Sequence, residues 1–303
     1  MGYLLVLVSV TCFGAMALLA RIAYAAGVDT YSLLALRFLI ATAVMLGIVW
    51  LGRPARFPRG TALRRYILMG SVYAAMAWAY FDALHYAASA TVALVLYAAP
   101  ILVALIAAAL RIDRFGLAEL LALAISTTGL VLGLGGTLQG SLTGFAIAFI
   151  AAFFYAVYIV IGSSVGTDAD PAPDPIATAS IVLATAGIIF AGISLGSGPH
   201  LPHTPGAWAA VICIAVFSTA LAIAALNAGI LRLGPTLASV LASVEPVVTV
   251  TLGILFLDEH PGPRTLLGGL LIIGAATGLS LVRARRKSGP VQSAPTMPQS
   301  QRN

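Results

Sequence analysis

The sequence has very little charge for its length. Only 9% of its 303 residues are Asp, Glu, Lys or Arg, against roughly 25% in an ordinary soluble domain. Hydrophobic residues make up 60% of the chain, and its mean hydropathy is +1.03. A soluble fold of this size cannot bury so much apolar surface, because the buried share is limited by the ratio of surface to volume. The composition therefore predicts an integral membrane protein.

Cysteine is scarce, and two familiar motifs of catalytic and nucleotide-binding sites are missing. The two cysteines, Cys12 and Cys213, fall inside apolar runs, where packing explains them better than a disulfide or a metal pair. There is no His-Glu-x-x-His zinc motif and no glycine-rich phosphate loop ending in lysine. We therefore predict a protein that is not an enzyme, with no catalytic residue, metal site or cofactor.

The chain does contain ten long apolar runs, each near the ~20 residues that a helix needs to cross the hydrocarbon core of a bilayer. The runs are residues 3–25, 31–51, 66–87, 89–110, 116–136, 143–165, 175–196, 207–231, 234–257 and 265–283. None alternates polar and apolar residues as a barrel strand does. The runs are therefore predicted to be transmembrane helices.

Basic residues predict the orientation of these helices, because cytoplasmic loops carry an excess of Lys and Arg. They cluster after the second and fourth runs and at the C-terminal flank, as Arg53, Arg56, Arg59, Arg64, Arg65, Arg111, Arg114, Arg283, Arg285, Arg286 and Lys287. The opposite loops hold chiefly Arg264, with Arg21 nearby. We predict a multi-pass protein of the plasma (inner) membrane with both termini cytoplasmic. The bases flank membrane spans, so a nucleic-acid site is not expected.

An internal repeat is visible when the second half of the chain is laid on the first. Pro100 falls on Pro246, Asp113 on Glu259 and Gly116 on Gly262. Each unit holds five runs, and since five is an odd number the second unit enters the membrane from the opposite side. Inverted repeats are a recurrent transporter architecture, with the substrate site between the repeats.

The predicted fold is an all-α integral membrane protein of ten transmembrane helices arranged as two inverted five-helix repeats. The first repeat spans residues 1–140 and the second spans residues 141–287. Residues 288–303 are rich in Pro, Ser and Gln and are predicted to be a disordered cytoplasmic tail.

Three short motifs, taken in order, resemble the EamA branch of the drug/metabolite transporter superfamily. They are Leu36-Arg37-Phe38-Leu39-Ile40-Ala41, then Val244-Glu245-Pro246-Val247 with Leu255-Phe256-Leu257-Asp258-Glu259, and Leu267-Gly268-Gly269-Leu270-Leu271-Ile272-Ile273-Gly274. The resemblance covers about residues 1–285. It implies two repeats, cytoplasmic termini and export of amino acids, related metabolites or drugs. The chain departs from the family pattern at Ala99 and Asp113, which limits any inference about the substrate.

Charged residues inside membrane spans are costly and usually face a cavity or a partner. Arg37 and Asp82 lie at similar predicted depth in the second and third runs, so a neutralising ion pair between them is geometrically allowed. The pair would stabilise one state of the cavity, bind a zwitterionic substrate, or form a fixed link between two helices. His85 shares a helical face with Asp82 and either relays a proton or lies at the membrane interface.

Further candidates for substrate binding or coupling lie on later helices. Glu245 falls near the middle of the ninth run, where it would bind a substrate ammonium, carry a coupling proton, or clamp two helices. Pro100 and Pro246 each remove a backbone hydrogen bond inside a run, and are predicted to kink the helix for movement or to set a static shape. Asn227 would bind substrate or link helices.

Aromatic side chains suggest the character of the substrate. Trp78, Tyr97 and Tyr158 are the predicted lining residues, because ligand sites combine aromatic walls with a few placed polar groups. Packing or contact with lipid is the alternative for each of them. Gly-x-x-x-Gly spacing at Gly129 and Gly274 predicts close helix approach, either within the chain or across a homodimer seam.

These observations predict a secondary-active transporter that exports amino acids or related small metabolites by alternating access. Its partners are then a small-molecule substrate and the lipid bilayer, and monomer and homodimer are both open. The alternatives are a transporter of drugs or other metabolites, and a non-transporting membrane scaffold. A channel is disfavoured, since no ring of charges or repeated carbonyls suggests a selectivity filter.

Overall fold

The computed structural model describes residues 1–51, 55–96, 98–110, 117–134, 140–165, 174–233, 245–258 and 260–287. Within these ranges every regular element is a helix, apart from one isolated bridge between Ala87 and Gly140. The helices are α1 (Gly2–Gly14), α2 (Met16–Ala25), α3 (Thr30–Trp50), α4 (Gly60–Ala83), α5 (Ser89–Leu96), α6 (Ala99–Ala109), α7 (Leu117–Leu134), α8 (Leu142–Val165), α9 (Pro175–Ser197), α10 (Pro205–Ala215), α11 (Ala222–Leu233), α12 (Glu245–Leu257) and α13 (Pro263–Lys287). A π-helical segment, Val216–Leu221, joins α10 to α11.

Five stretches of the described chain are long and apolar enough to cross a membrane. They are Gly2–Ala25, Thr30–Trp50, Leu142–Ile161, Ile176–Ser197 and Pro205–Leu226. The predicted all-helical membrane fold is thus confirmed in its class. The count of ten spans and their opposed orientation remain predictions.

Three of the predicted runs hold an interruption instead of one continuous helix. The first divides at Ala15 between α1 and α2, and the fourth divides between α5 and α6. The eighth contains the π-helical segment. In the ninth run, α12 begins at Glu245, and residues 234–244 lie outside the described part. Interruptions matter in a membrane because freed backbone groups must find partners in a cavity or in side chains.

Helix starts follow capping chemistry that is visible in the sequence. The Asp29 carboxylate accepts hydrogen bonds from the backbone N–H groups of Tyr31 and Ser32 at 2.9 and 3.0 Å. Asp174 caps α9 in the same way, and Thr204 caps α10. A proline follows each of these last two caps, where a missing N–H costs no helical hydrogen bond.

The helices pack in pairs that draw one member from each half of the chain. The main pairs are α3 with α9, α4 with α8, α1 with α11, and α7 with α13. In the predicted repeat α4 corresponds to α10 and α11, and α8 corresponds to α1 and α2. Exchanging the two halves therefore turns the pair of α4 and α8 into α10 and α11 packed against α2 and α1. These helices do pack together, so the set of pairs is unchanged. The two halves are therefore interleaved.

Contacts between connecting segments join segments that the sequence predicts on the same side of the membrane. Asp29 meets His200, and Ala87 meets Gly140, so four connections predicted on one side lie at one end of the bundle. The Asp174 N–H donates to the Arg56 carbonyl at 3.1 Å, joining two connections predicted on the other side.

Small residues allow the closest helix approaches. A methyl group at Gly129 of α7 would lie 2.7 Å from the Gly268 carbonyl oxygen and 2.8 Å from Leu271 Cβ on α13. Gly129 thus serves contact within the chain. A methyl group at Gly274 would meet nothing within 4 Å.

Replacing Gly129 and Gly274 separately by alanine should change stability in opposite directions. Gly129→Ala forces α7 and α13 apart and is expected to cost about 1–3 kcal/mol. Gly274→Ala gains helix propensity of up to about 1 kcal/mol without a clash. Thermal unfolding of both variants in the same detergent measures the difference. Equal midpoints would contradict the packing described for α7.

The Asp29 carboxylate ties two outer connections together. Its second oxygen accepts the His200 backbone N–H at 3.2 Å and lies 3.7 Å from His200 Nδ1. Partial burial alone would raise the pKa of Asp29, but hydrogen bonds from Ser32, His200 and Tyr31 outweigh it and hold the pKa below its usual value.

Acid should remove the contribution of Asp29 to stability. Because its pKa is lower in the folded state, the stabilisation is complete above about pH 4, the usual carboxyl range, and is lost as pH falls through the folded pKa. Asn caps a helix as well as Asp does, so Asp29→Asn keeps the cap but removes the charge and the acceptor for the His200 N–H, as protonation of Asp29 also does. The melting-temperature gap between wild type and this variant should close below pH 4. A constant gap down to pH 3 would refute this account.

Candidate functional site

Arg37 is the most deeply buried charge of the described chain. It lies in the first half of α3 with only 2% of its surface exposed. Its Nε–H donates to Thr219 Oγ1 at 2.9 Å, and its Cζ lies 4.7 Å from the centre of the Phe38 ring and 5.0 Å from that of Phe81. The Tyr73 side chain lies close enough to interact electrostatically with the guanidinium. Aromatic faces and neutral oxygens thus stabilise this cation.

The expected ion pair between Arg37 and Asp82 is wrong. Among the described residues Arg37 contacts no carboxylate, and its partners lie on α3, α4 and the π-helical segment. Phe81 presents its ring to the guanidinium, and neighbouring residues of a helix point in directions about 100° apart. Asp82 therefore faces away from Arg37, although the two lie at similar depth.

A series of tyrosines leads from Arg37 to the second half of the chain. Tyr73 of α4 lies 5.6 Å from the Phe38 ring and 5.3 Å from the Tyr158 ring of α8. Tyr158 stacks on Tyr155 at 6.4 Å between centroids. Tyr155 lies close enough to Glu245 for the two to interact electrostatically. The series thus connects a cation of the first repeat to a carboxyl group of the second.

Glu245 is the first residue of α12, and its carbonyl oxygen accepts a hydrogen bond from the Thr249 hydroxyl at 3.3 Å. The side chain is only partly accessible. In the described part of the protein no basic side chain forms an ion pair with it, so this carboxyl group and the Arg37 guanidinium each lack a charged partner of their own.

His85 and Asp82 belong to a separate cluster at the end of the bundle. The His85 ring stacks on Tyr24 at 4.1 Å, and its Nε2 lies 2.9 Å from Thr30 Oγ1. Asp82 is near enough to interact electrostatically with His85. The side of this cluster opens into a cleft of about 560 Å³ lined by Arg21, Ile22, Ala25, Leu84, His85, Tyr86, Ala87, Ala88, Gly140 and Leu257.

The remaining sequence candidates lie at other places. Trp78 is half-buried against the hydrophobic core of the bundle. Pro100 is the second residue of α6 and Pro246 the second residue of α12, so equivalent positions begin both helices. Asn227 lies within α11, but its side chain and those of the two prolines are outside the described part. Tyr97 lies outside the described residues altogether.

One sequence pattern needs a structural explanation because it matches a hydrolase motif. Residues 192–196 read Gly-Ile-Ser-Leu-Gly, which fits the Gly-x-Ser-x-Gly spacing of a nucleophile elbow. That motif requires a sharp turn between a strand and a helix, whereas Ser194 lies inside α9. Its hydroxyl is 2.8 Å from Ser32 Oγ, so the residue links α9 to α3.

Sequence reasoning missed Thr219, Phe81, Tyr73 and Tyr155 as members of the site. The tyrosines belong to aromatic-rich runs with no mark to distinguish cavity-facing rings from packing rings. Thr219 follows Ser218 in a run that is otherwise apolar around it, and this pair of hydroxyls is the one signal the sequence offers. The π-helical turn that aims Thr219 at Arg37 has no recognisable local pattern.

A family model matches residues 1–134 and again residues 142–281 of this chain, and it describes the EamA-like transporter family. The chain belongs to the EamA-like transporter family. The resemblance noted in the sequence is thereby confirmed, including its two copies along the chain. The protein is accordingly a multi-pass membrane transporter of small molecules, in a family of transporters rather than enzymes.

A solved structure, described as "Crystal structure of protein", resembles this EamA-like chain with a TM-score of 0.67 and 23% sequence identity. The match covers 95% of this chain and 99% of that chain. At this identity the likeness supports the fold alone. Comparison with curated proteins gives no match.

Proposed function

We propose that this EamA-like protein is a secondary-active exporter of amino acids or closely related zwitterionic metabolites. It acts by alternating access in the inner membrane, with both termini cytoplasmic. Ten transmembrane helices form two inverted five-helix repeats, residues 1–140 and 141–287, and the substrate binds between them. The preservation of helix pairs on exchange of the two halves supports this arrangement.

The observation that carries the proposal is the buried guanidinium of Arg37 without a carboxylate partner in the described structure. A buried charge is costly unless it is paired and hydrogen-bonded. The guanidinium fork fits a carboxylate in bidentate geometry better than any other common group. A substrate carboxylate would therefore give the guanidinium the charged partner that Thr219, Tyr73 and the two rings do not supply.

Glu245 supplies the opposite charge for a zwitterion. An ammonium group bound to this carboxyl would neutralise it, while the tyrosines between Arg37 and Glu245 would pack against the substrate side chain. Arg37 lies in the first repeat and Glu245 in the second. Binding therefore bridges the two repeats, and rocking one repeat against the other would alter both contacts together.

Two alternative functions make different demands on these residues. A drug transporter would use the aromatic side chains of Tyr73, Tyr155 and Tyr158 and would tolerate loss of Arg37. A non-transporting scaffold would need neither buried charge. The position of both charges away from the exposed ends favours transport of a charged solute over either alternative.

Replacing Arg37 by leucine should abolish export of amino acids while the protein still inserts and folds. Loss of one partner of a buried charge pair costs roughly 2–5 kcal/mol, which is more than about a tenfold loss of affinity. Arg232→Leu is the matched control, because Arg232 is exposed near the end of α11. Efflux of labelled amino acids from proteoliposomes measures both variants.

The same proteoliposomes test the proposed function as a whole. They are loaded with labelled amino acids or with aromatic metabolites that carry no carboxylate. Saturable efflux of amino acids by the wild type and the Arg232→Leu variant, and none by Arg37→Leu, would support the proposal. Equal efflux by Arg37→Leu would overturn it and favour the drug-transporter alternative.

Replacing Glu245 by glutamine should uncouple transport from the proton gradient. An amide neither takes up a proton nor attracts an ammonium group by charge, so efflux is expected to slow and to lose its response to an imposed pH gradient. Initial efflux rates with and without the gradient measure both effects. An undiminished response to the gradient in this variant would exclude Glu245 as the proton carrier.

A further inference from the structure

The π-helical segment Val216–Leu221 is the least regular piece of helix near Arg37. Its wide turn buries Ser218, Thr219 and Ala220, and it packs against α1 and α3 as well as its neighbours. Isolated π-helical turns are rare and frequently occur at functional sites. Here the turn presents Thr219 to the guanidinium, and the adjacent Ser218 hydroxyl is buried without a hydrogen-bond partner among the described residues.

The hydrogen bonds around Thr219 have one possible direction. The Arg37 Nε–H is a donor only, so Thr219 Oγ1 must accept from it at 2.9 Å. The Thr219 hydroxyl proton then points to the Ile214 carbonyl oxygen, also at 2.9 Å, five residues earlier in the chain. That carbonyl belongs to the last turn of α10. The two hydrogen bonds thus run in one direction, from the guanidinium through the Thr219 hydroxyl to the backbone, and each polarises the other.

These two hydrogen bonds limit the rotation of the guanidinium. The rings of Phe38 and Phe81 lie near it and restrict its tilt, while the bond from Nε holds one edge toward the π-helical segment. In the planar guanidinium the two terminal nitrogens form the edge away from the side-chain stem. Because the Nε–H already donates to Thr219, this edge is the one left to bind a carboxylate through two parallel hydrogen bonds.

We propose that Thr219 is a positioning residue for substrate binding, because it holds the Arg37 guanidinium with its terminal nitrogens toward the substrate carboxylate. Thr219 acts through Arg37 and touches no substrate itself. The inference rests on the proposed function in one respect, namely that Arg37 binds a carboxylate. The alternative role for Thr219 is purely structural, as a cap for the carbonyl that the π-helical turn frees.

The variants that separate these roles are Thr219→Val, Thr219→Ser and Ser218→Ala. Valine keeps the shape of threonine and removes the hydroxyl, so both hydrogen bonds are lost. Serine keeps the hydroxyl and should restore them. Ser218→Ala removes a neighbouring buried hydroxyl that has no partner among the described residues, and it therefore controls for general disturbance of the segment.

Transport kinetics distinguish positioning from folding. L-leucine, L-phenylalanine and their amides serve as probes, since each amide keeps the ammonium group and the side chain but lacks the carboxylate. For the acids, Thr219→Val should raise KM about tenfold, the scale of one hydrogen bond to a charged group, and leave maximal efflux within about twofold. KM for any amide carried should not change. Thr219→Ser and Ser218→Ala should match the wild type for all four probes.

Other kinetic results would overturn the positioning role. A Thr219→Val variant with unchanged KM for the acids would do so, and so would an equal rise in KM for acids and amides. Failure of Thr219→Ser to restore the acids would also contradict it, because serine retains the donor and acceptor on which the argument depends.

A second measurement judges the geometry without any transport. In protein labelled with ¹⁵N-arginine, the Arg37 Nε–H signal, assigned by its loss in Arg37→Lys, should exchange slowly with water in the wild type and in Thr219→Ser. It should exchange at least about tenfold faster in Thr219→Val. Unchanged exchange in Thr219→Val would refute the positioning role even if amino acids are transported. If the wild type carries neither acids nor amides, the proposed function fails, and this exchange experiment alone decides whether Thr219 holds Arg37.

Discussion

The structure depends on one constraint above all, which is the burial of the Arg37 guanidinium in an apolar bundle. A charge in this position cannot be hydrated, and the described protein offers it no carboxylate. It is held by a hydroxyl from the second half of the chain, by a tyrosine of α4, and by two aromatic rings. These partners belong to α3, α4 and the π-helical segment, so these three elements have to pack together around the guanidinium. None of these partners carries a negative charge.

The irregular helices follow from the same need to satisfy polar groups without water. An unbroken α-helix bonds all its inner carbonyls to its own N–H groups and offers none to a ligand or side chain. Next to the wide turn in Val216–Leu221, the Ile214 carbonyl accepts a hydrogen bond from the Thr219 hydroxyl. Further interruptions lie between α1 and α2 and between α5 and α6. These helices contact helices of the other half of the chain. The described chain thus combines long regular helices with a few interruptions.

Several members of the site were predictable from the sequence, and others were not. Arg37 and Glu245 stand out because charge inside an apolar run is rare and costly. The partner of Arg37 was predicted wrongly as Asp82, since sequence gives the depth of a residue but not the rotation of its helix. Phe81 and Asp82 differ by one position and about 100° of rotation, and this angle decides which of them meets the guanidinium. Close packing at small residues, such as Gly129 between α7 and α13, sets such rotations.

The amino-acid sequence by itself determined that this protein lies in a membrane and that its fold is all-helical. Hydropathy is a local property, so it predicted an all-helical membrane chain without any knowledge of contacts. Matched positions predicted the repeat, and the resemblance of three short motifs predicted the family. Only the tertiary structure decided which groups contact each buried polar side chain. Thr219 and Arg37 are 182 positions apart, and their hydrogen bond exists because helices from both halves pack in one rotation and because a single wide turn redirects one hydroxyl. Such long-range coincidences depend on the whole bundle, and no local pattern encodes them.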